Sequence, residues 1–308
     1  MSISSIGRDL IGGVAKRLGI SGPEQTRSTS QPQSQPASGP TSQPRVQVAG
    51  WDGTSSFDSG RTGSGSGSGT GAGVGAAAGA AGAAVAGRPD LAGIERDYQV
   101  QDDTMVKWRP KGLGIIPVPF AGEYNVTQTE AKLLDKLSVD RGLLGLNKFN
   151  DIKDQAFDVS ERLYPNPSSV PGGIAPGDQQ EWMNNDGHRD AFRHAYWNAL
   201  MTREFGAEWT QQFATAHEGL PGNYADREAM DLYNNQVGRE IALANPNASP
   251  EELATLVQQA VTDGRMVVLD DKSNLQWSDR VPYGQHGLSD RVPGTGGQPL
   301  PDGNASAR

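Results

Sequence analysis

Three of the chain's four histidines lie between Gly187 and Gly238, each close to carboxylates or amides at helical spacing. Asp190 and His194 are four residues apart. At 100° per residue they share one helix face with Trp197, Asn198 and Met201, opposite Phe192 and Ala199. His217-Glu218 close a second apolar stripe, and Asp231, Asn234, Asn235 and Gly238 share one face of a third. Imidazoles and carboxylates gathered from several helices can do two kinds of chemistry. They can hold a divalent metal that activates water, with His194, His217 and Asp231 as ligands. Without a metal, His194 can act as a base oriented by Asp190, with Asn234 and Asn235 positioning substrate. Either route is hydrolytic and suits a phosphoester or lipid-like substrate. The candidate site is therefore Asp190, His194, His217, Glu218, Asp231 and Asn235, with the cofactor left open. The same residues admit a third reading, a buried polar network that only fixes helix packing. His188 sits at a helix start after Asn184-Asn185-Asp186-Gly187 and reads as a cap or surface residue; His286 reads as a bystander in the tail.

Spacing removes several sharper chemistries. His217-Glu218 is followed by Gly219-Leu220-Pro221, which breaks the His-Glu-x-x-His pattern of a zincin. No phosphate-binding P-loop and no dinucleotide-binding glycine motif is present. The chain has no cysteine, so thiolate nucleophiles, thiolate metal sites and disulfides are all absent. The order His194, His217-Glu218, Asp231 echoes the all-helical HD phosphohydrolases. Glu stands where those have Asp, however, and the last Asp follows after only thirteen residues. A His–Asp pair on helices also loosely resembles secretory phospholipase A2, whose cysteines and calcium-loop glycines are missing here.

The elements that must position these residues are helices. Thr127-x-x-Glu130 is a capping box opening a helix through Leu137. Ile152, Ala156, Val159 and Leu163 stripe a second, ended by Pro165. The motif helix runs from about Arg189 to Phe205 and stops at Gly206. Trp209, Phe213 and Ala216 mark the next, and Met230, Tyr233, Val237 and Ile241 the one after. Ser249-Pro250-Glu251-Glu252 supplies cap, first-turn proline and box glutamate for a last helix closed by Gly264. Met266–Leu269 and Leu275–Trp277, joined by a polar turn, read as a hairpin. On this reading Gly238 lets another backbone or a substrate come close. The fold expected is mostly α, a compact helical domain with one small C-terminal β-hairpin, preceded by a long disordered leader.

That leader divides in two. Residues 1–20 place Ile3, Ile6, Leu10, Val14 and Leu18 at steps of three and four beside Arg8, Lys16 and Arg17, a short amphipathic export or targeting segment with weak membrane affinity. Residues 21–89 are Ser/Gln/Pro-rich and then Gly/Ala-rich, with almost nothing to bury. The helical domain is expected over residues 90–285 and a disordered tail over 286–308. Residues 1–90 carry seven Lys/Arg against five Asp/Glu, and residues 91–308 carry 20 against 31. An acidic domain repels a phosphate backbone, so nucleic acid is not an expected partner.

Two resemblances follow from these segments. The Ser/Gln/Pro-rich start with an early aliphatic residue resembles the export signals of type III secretion effectors, from which Asp9 departs. The Gly-rich, cysteine-free composition resembles harpins, which lack a motif-bearing C-terminal domain of this kind. The run Asp190–Ala199 (DAFRHAYWNA), with Ala216-His217-Glu218, Met230–Asn235 (MDLYNN) and Gly238-Arg239, resembles an uncharacterised bacterial domain family. That family also occurs at the C-termini of polymorphic toxins and wall-associated secreted proteins. The resemblance spans about Thr127 to Ala244 and implies a secreted effector or toxin delivered into a host or target cell. It implies a host or target-cell component as partner, a secretion chaperone on the export route, and no particular reaction. The non-enzymatic counterpart is a type III effector or harpin-like helper in which the His/Asp/Asn cluster is structural.

Overall fold

The computed structural model describes residues 87–118, 121–290, 292 and 294. The amphipathic segment 1–20, the linker up to residue 86 and the end of the tail lie outside the described residues. Within them the chain is mostly helical. The helices are α1 (Leu91–Asp97), α2 (Gln128–Leu163), α3 (Gln179–Asn184), α4 (His188–Phe205), α5 (Ala207–Glu218), α6 (Ala225–Ala244) and α7 (Pro250–Thr262). Both capping boxes form. Thr127 Oγ1 accepts from the Glu130 N–H at 3.1 Å, and Glu130 Oε2 accepts from the Thr127 N–H at 2.7 Å. Ser249 and Glu252 make the same exchange at the start of α7. The first expected helix does not stop at Leu137. It runs to Gly142, whose φ of 64° and ψ of −164° break α2 before the chain turns helical again. That backbone conformation is nearly exclusive to glycine.

Helix α4 lies at the centre and packs on α2, α5, α6 and α7. Every residue from His188 to Thr202 is buried, which explains why its polar face carries Trp and Met. It crosses α6 closely: a Cβ on Gly238 would overlap the Ala195 carbonyl. Alanines 191, 195 and 199 on α4 and alanine 229 on α6 are fully buried, keeping the interface thin. An aromatic wall of Phe149, Trp197, Trp209 and Phe213 closes the α2–α4–α5 side, with centroid spacings from 4.8 to 6.2 Å.

The expected hairpin is present as β5 (Val267–Leu269) antiparallel to β6 (Leu275–Trp277), with Val267 opposite Trp277. Two further ladders were not legible. Strand β1 (Met105–Trp108) pairs antiparallel with β4 (Tyr124–Thr127), and two-residue β2 (Lys111–Gly112) pairs with β3 (Ile116–Pro117). Each is too short for alternation to stand out, and prolines interrupt the region. The tail also packs further than expected. His286 stacks on Trp182 with centroids 4.7 Å apart, and Ser289 is buried. The Ala225 N–H donates to the Val292 carbonyl at 2.9 Å. The packed domain thus continues beyond residue 285, because tail N–H groups are taken up by buried carboxylates: Ser289 donates to Asp186 Oδ2, just before α4, and Asp290 donates to Asp226 Oδ2, at the start of α6.

Candidate functional site

The polar face of α4 meets the end of α5 and the middle of α6, and His194 stands where the three converge. Its Nε2 lies 3.4 Å from Asp190 Oδ1 on its own helix and 3.5 Å from Asp231 Oδ1 on α6. Its Nδ1 lies 3.5 Å from Glu218 Oε1 on α5. All four side chains are at most 7 % exposed. His194 Nδ1 and Asp231 Oδ1 are buried without a hydrogen-bond partner among the described residues.

Each carboxylate is held differently. Asp190 is ion-paired to Arg193, and its Oδ2 accepts the Asp186 N–H at 2.7 Å. Burial alone would push its carboxyl up, but Arg193, with His194 beside it, holds it below the usual range. Asp231 goes the other way. Burial, reinforced by Asp190 and Glu218, pushes it well above the usual range. Glu218 Oε1 accepts from Asn235 Nδ2 at 3.1 Å. Asn235 Oδ1 accepts from Asn198 Nδ2, and Asn198 Oδ1 accepts from Arg239 Nη1 at 3.0 Å. A chain of amides therefore ties α4 to α6 and fixes Glu218 against His194.

Asp190, His194, Glu218, Asp231 and Asn235 come together, as their helix faces require. His217 does not join them. Its Nδ1 lies 2.8 Å from Glu130 Oε1 and its ring meets the Trp197 ring edge-on. Neighbours in one helix point about 100° apart, so when Glu218 faces His194 its neighbour must face α2. Burial opposes protonation of His217, but the Glu130 hydrogen bond and charge outweigh it and raise its pKa. The potential metal ligands brought together are Asp190, His194 and Asp231, each offering one atom within 4.8 Å of the others; the expected set with His217 is corrected accordingly. Asn234 does not position a substrate either. Its amide exchanges hydrogen bonds with the Val267 backbone at 2.9 and 3.0 Å and clamps β5.

Two histidines read as peripheral are buried. His188 Nε2 donates to the Ser278 carbonyl at 2.8 Å. His286 Nε2 donates to the Trp182 carbonyl at 2.9 Å, while Trp182 Nε1 donates to the His286 carbonyl at 2.8 Å. Burial lowers both imidazole pKa values. Asp186 was missed altogether. With φ of 68°, it ion-pairs bidentately with Arg227 at 2.7 Å for both contacts and accepts the Ser289 N–H at 3.1 Å. Its position before Gly187 pointed to a turn, and nothing local pointed to Arg227, 41 residues on. A small cleft beside Asp190 is lined also by Asn184, Asn185, Gly187, Arg189 and His286.

Residues 140–265 match a domain of unknown function (DUF6973). No curated protein and no solved structure matches the chain. The matched segment holds all of α4, α5 and α6, hence every residue of the His194 cluster, and leaves out Glu130.

Proposed function

We propose that this chain is a secreted bacterial effector or toxin whose helical domain is a hydrolase acting on a phosphoester or lipid-like substrate. One observation carries the chemistry: a single buried imidazole faces three carboxylates from three helices, each at 3.4–3.5 Å. Opposite pKa shifts on neighbouring carboxyls are the pattern of an acid–base pair. Asp190 is the ionised partner that orients His194, His194 the base that takes a proton from water, and Asp231 the protonated group that serves as acid. Glu218 and Asn235 are positioning residues. The type III-like leader and the motif resemblance support delivery into a host or target cell, with a component of that cell as target and a secretion chaperone on the way.

The test is hydrolysis of a phosphodiester and of phospholipid vesicles by the full chain, together with growth of cells that express it. His194→Ala and Asp231→Asn are expected to lower activity by about 10²–10⁴-fold and to relieve growth arrest. Unchanged activity and toxicity in folded variants would refute the hydrolytic reading.

A second reading has an observation of its own. The amide chain Arg239–Asn198–Asn235–Glu218 and the Asn234 clamp hold helices and hairpin together without needing a reaction. In a non-enzymatic effector or harpin-like helper this network would be the purpose of the cluster. Breaking one partner would then cost several kcal/mol of stability, whereas Asp231→Asn in the hydrolase would leave stability close to wild type.

A further inference from the structure

We infer that Asp190, His194 and Asp231 form a binding site for one divalent transition-metal ion of the Zn²⁺ kind. The inference rests on the hydrolytic reading of the same cluster and replaces its metal-free roles: with the ion bound, His194 and ionised Asp231 would be ligands, and the metal would supply the activation of water otherwise given to His194. The first argument is distance. Zinc bonds of about 2.0–2.2 Å at tetrahedral angles set neighbouring ligand atoms about 3.3–3.5 Å apart. His194 Nε2 lies 3.4 Å from Asp190 Oδ1 and 3.5 Å from Asp231 Oδ1. A hydrogen bond between the same atoms would close to about 2.7–3.2 Å.

The second argument is the unpartnered oxygen. Asp231 Oδ1, on a residue 5 % exposed, has no hydrogen-bond partner and is the very atom aimed at His194 Nε2. Buried carboxylate oxygens are ordinarily hydrogen-bonded or bound to a metal. Charge is the third. Asp190, Asp231 and Glu218 face one imidazole, and Arg193 is the guanidinium in contact with this group. A divalent cation supplies the balance that burial of three carboxylates demands.

The surroundings resemble the outer shell of a metal site. Glu218 Oε1 faces His194 Nδ1, the nitrogen turned away from the ligand cluster, and is itself held by Asn235. A carboxylate behind the ligating histidine fixes its tautomer and raises its basicity. Asp190 is fixed by the Asp186 N–H on Oδ2 and by Arg193 on Oδ1, the oxygen that also faces His194 Nε2, so that a metal would share this oxygen with the guanidinium. One imidazole with two carboxylates suits zinc and its neighbours better than calcium. Three protein ligands also leave a coordination position for water, as in catalytic rather than structural zinc sites.

The full chain, stripped with chelator and dialysed, is titrated with Zn²⁺ by calorimetry, with elemental analysis of the reloaded protein and thermal melts with and without metal. One ion per chain and a zinc-dependent rise in Tm are expected. Asp231→Asn should bind at least about a hundredfold more weakly and lose the rise, and Glu218→Gln should bind about 10–100-fold more weakly. Should Asp231→Asn fail to fold, Co²⁺ in the wild-type chain decides, since four-coordinate Co²⁺ absorbs strongly in the visible and six-coordinate Co²⁺ weakly. A folded wild type that takes up neither ion, or Asp231→Asn binding as tightly as wild type, overturns the inference. A chain that binds one ion and hydrolyses nothing keeps this site and loses the hydrolytic reading. A chain fully active after metal removal does the reverse.

Discussion

Adjacent on the last turn of α5, His217 and Glu218 serve different partners, and stability measurements can separate them. His217 sits against Glu130, a carboxylate buried in a helix cap far away in sequence. Its pKa is raised, so its contribution is complete below the unfolded value of about 6.5 and is lost as pH rises through the folded value. His217→Gln should therefore cost about 3–5 kcal/mol at pH 6, by leaving Glu130 buried without its cation, and less at pH 9. Urea denaturation at the two pH values checks this; an equal cost at both would show that charge is not involved. At this scale the sequence was readable in part. The i, i+4 pair Asp190–His194 and the shared face of Asp231 and Asn235 follow from helical geometry alone. His217 and Glu218 were both placed at the common centre; the 100° between neighbours in a helix lets only one of them face His194, and that one is Glu218. The partners Glu130, Asp186 and Arg227 come from other elements, and no local spacing announces them.

Helices α4 and α6 approach closely enough that Gly238 faces a backbone carbonyl, whereas Gly142 has nothing within 4 Å of where a Cβ would stand. The two glycines thus separate packing from backbone conformation. Gly238→Ala must push α4 and α6 apart and is expected to cost about 3 kcal/mol while disturbing the His194 cluster. Gly142→Ala meets only the strain of φ 64°, ψ −164°, about 1–2 kcal/mol, and should leave the cluster intact. Urea midpoints and the hydrolytic assay together rank them; equal effects on both readouts would contradict the packing argument. The helices were legible because caps, stripes and terminal glycines agree with one another. Strands β1 to β4 were not, since ladders of two to four residues are specified by the surface they lie on and not by their own alternation.

Among the described residues, buried acids at the start of α6 have raised pKa values that couple folding to pH. Burial pushes Glu228 up to about 8 and Asp226 up to about 6. A carboxyl with a raised folded pKa favours folding fully below its unfolded value and loses that contribution as pH climbs through the folded one. Below pH 6.5 this is opposed by His188 and His286, whose lowered values penalise folding once they must be protonated. Above pH 6.5 the opposition ends. The Tm should then fall by several degrees between pH 6.5 and 8.5, and less steeply in Glu228→Gln, where His217 still loses its contribution, as calorimetry can establish; parallel slopes would remove Glu228 as a cause. Among the described residues no helix is long and apolar enough to cross a membrane.

The break at Gly142 also has a bearing on modularity. The segment that matches the domain of unknown function begins at residue 140, two residues before the break. The stretch upstream, from the strand ladders to the first half of α2, shares one buried core with the matched segment, Trp108, Val126, Leu134 and Leu137 among it, and Glu130 meets His217 across the boundary. The matched segment taken alone would carry a buried histidine whose counter-charge had been left behind. A protein that carries the matched segment without Glu130 is expected to supply another acid at that spot or to replace the histidine, and the residue at the position of His217 then tells which.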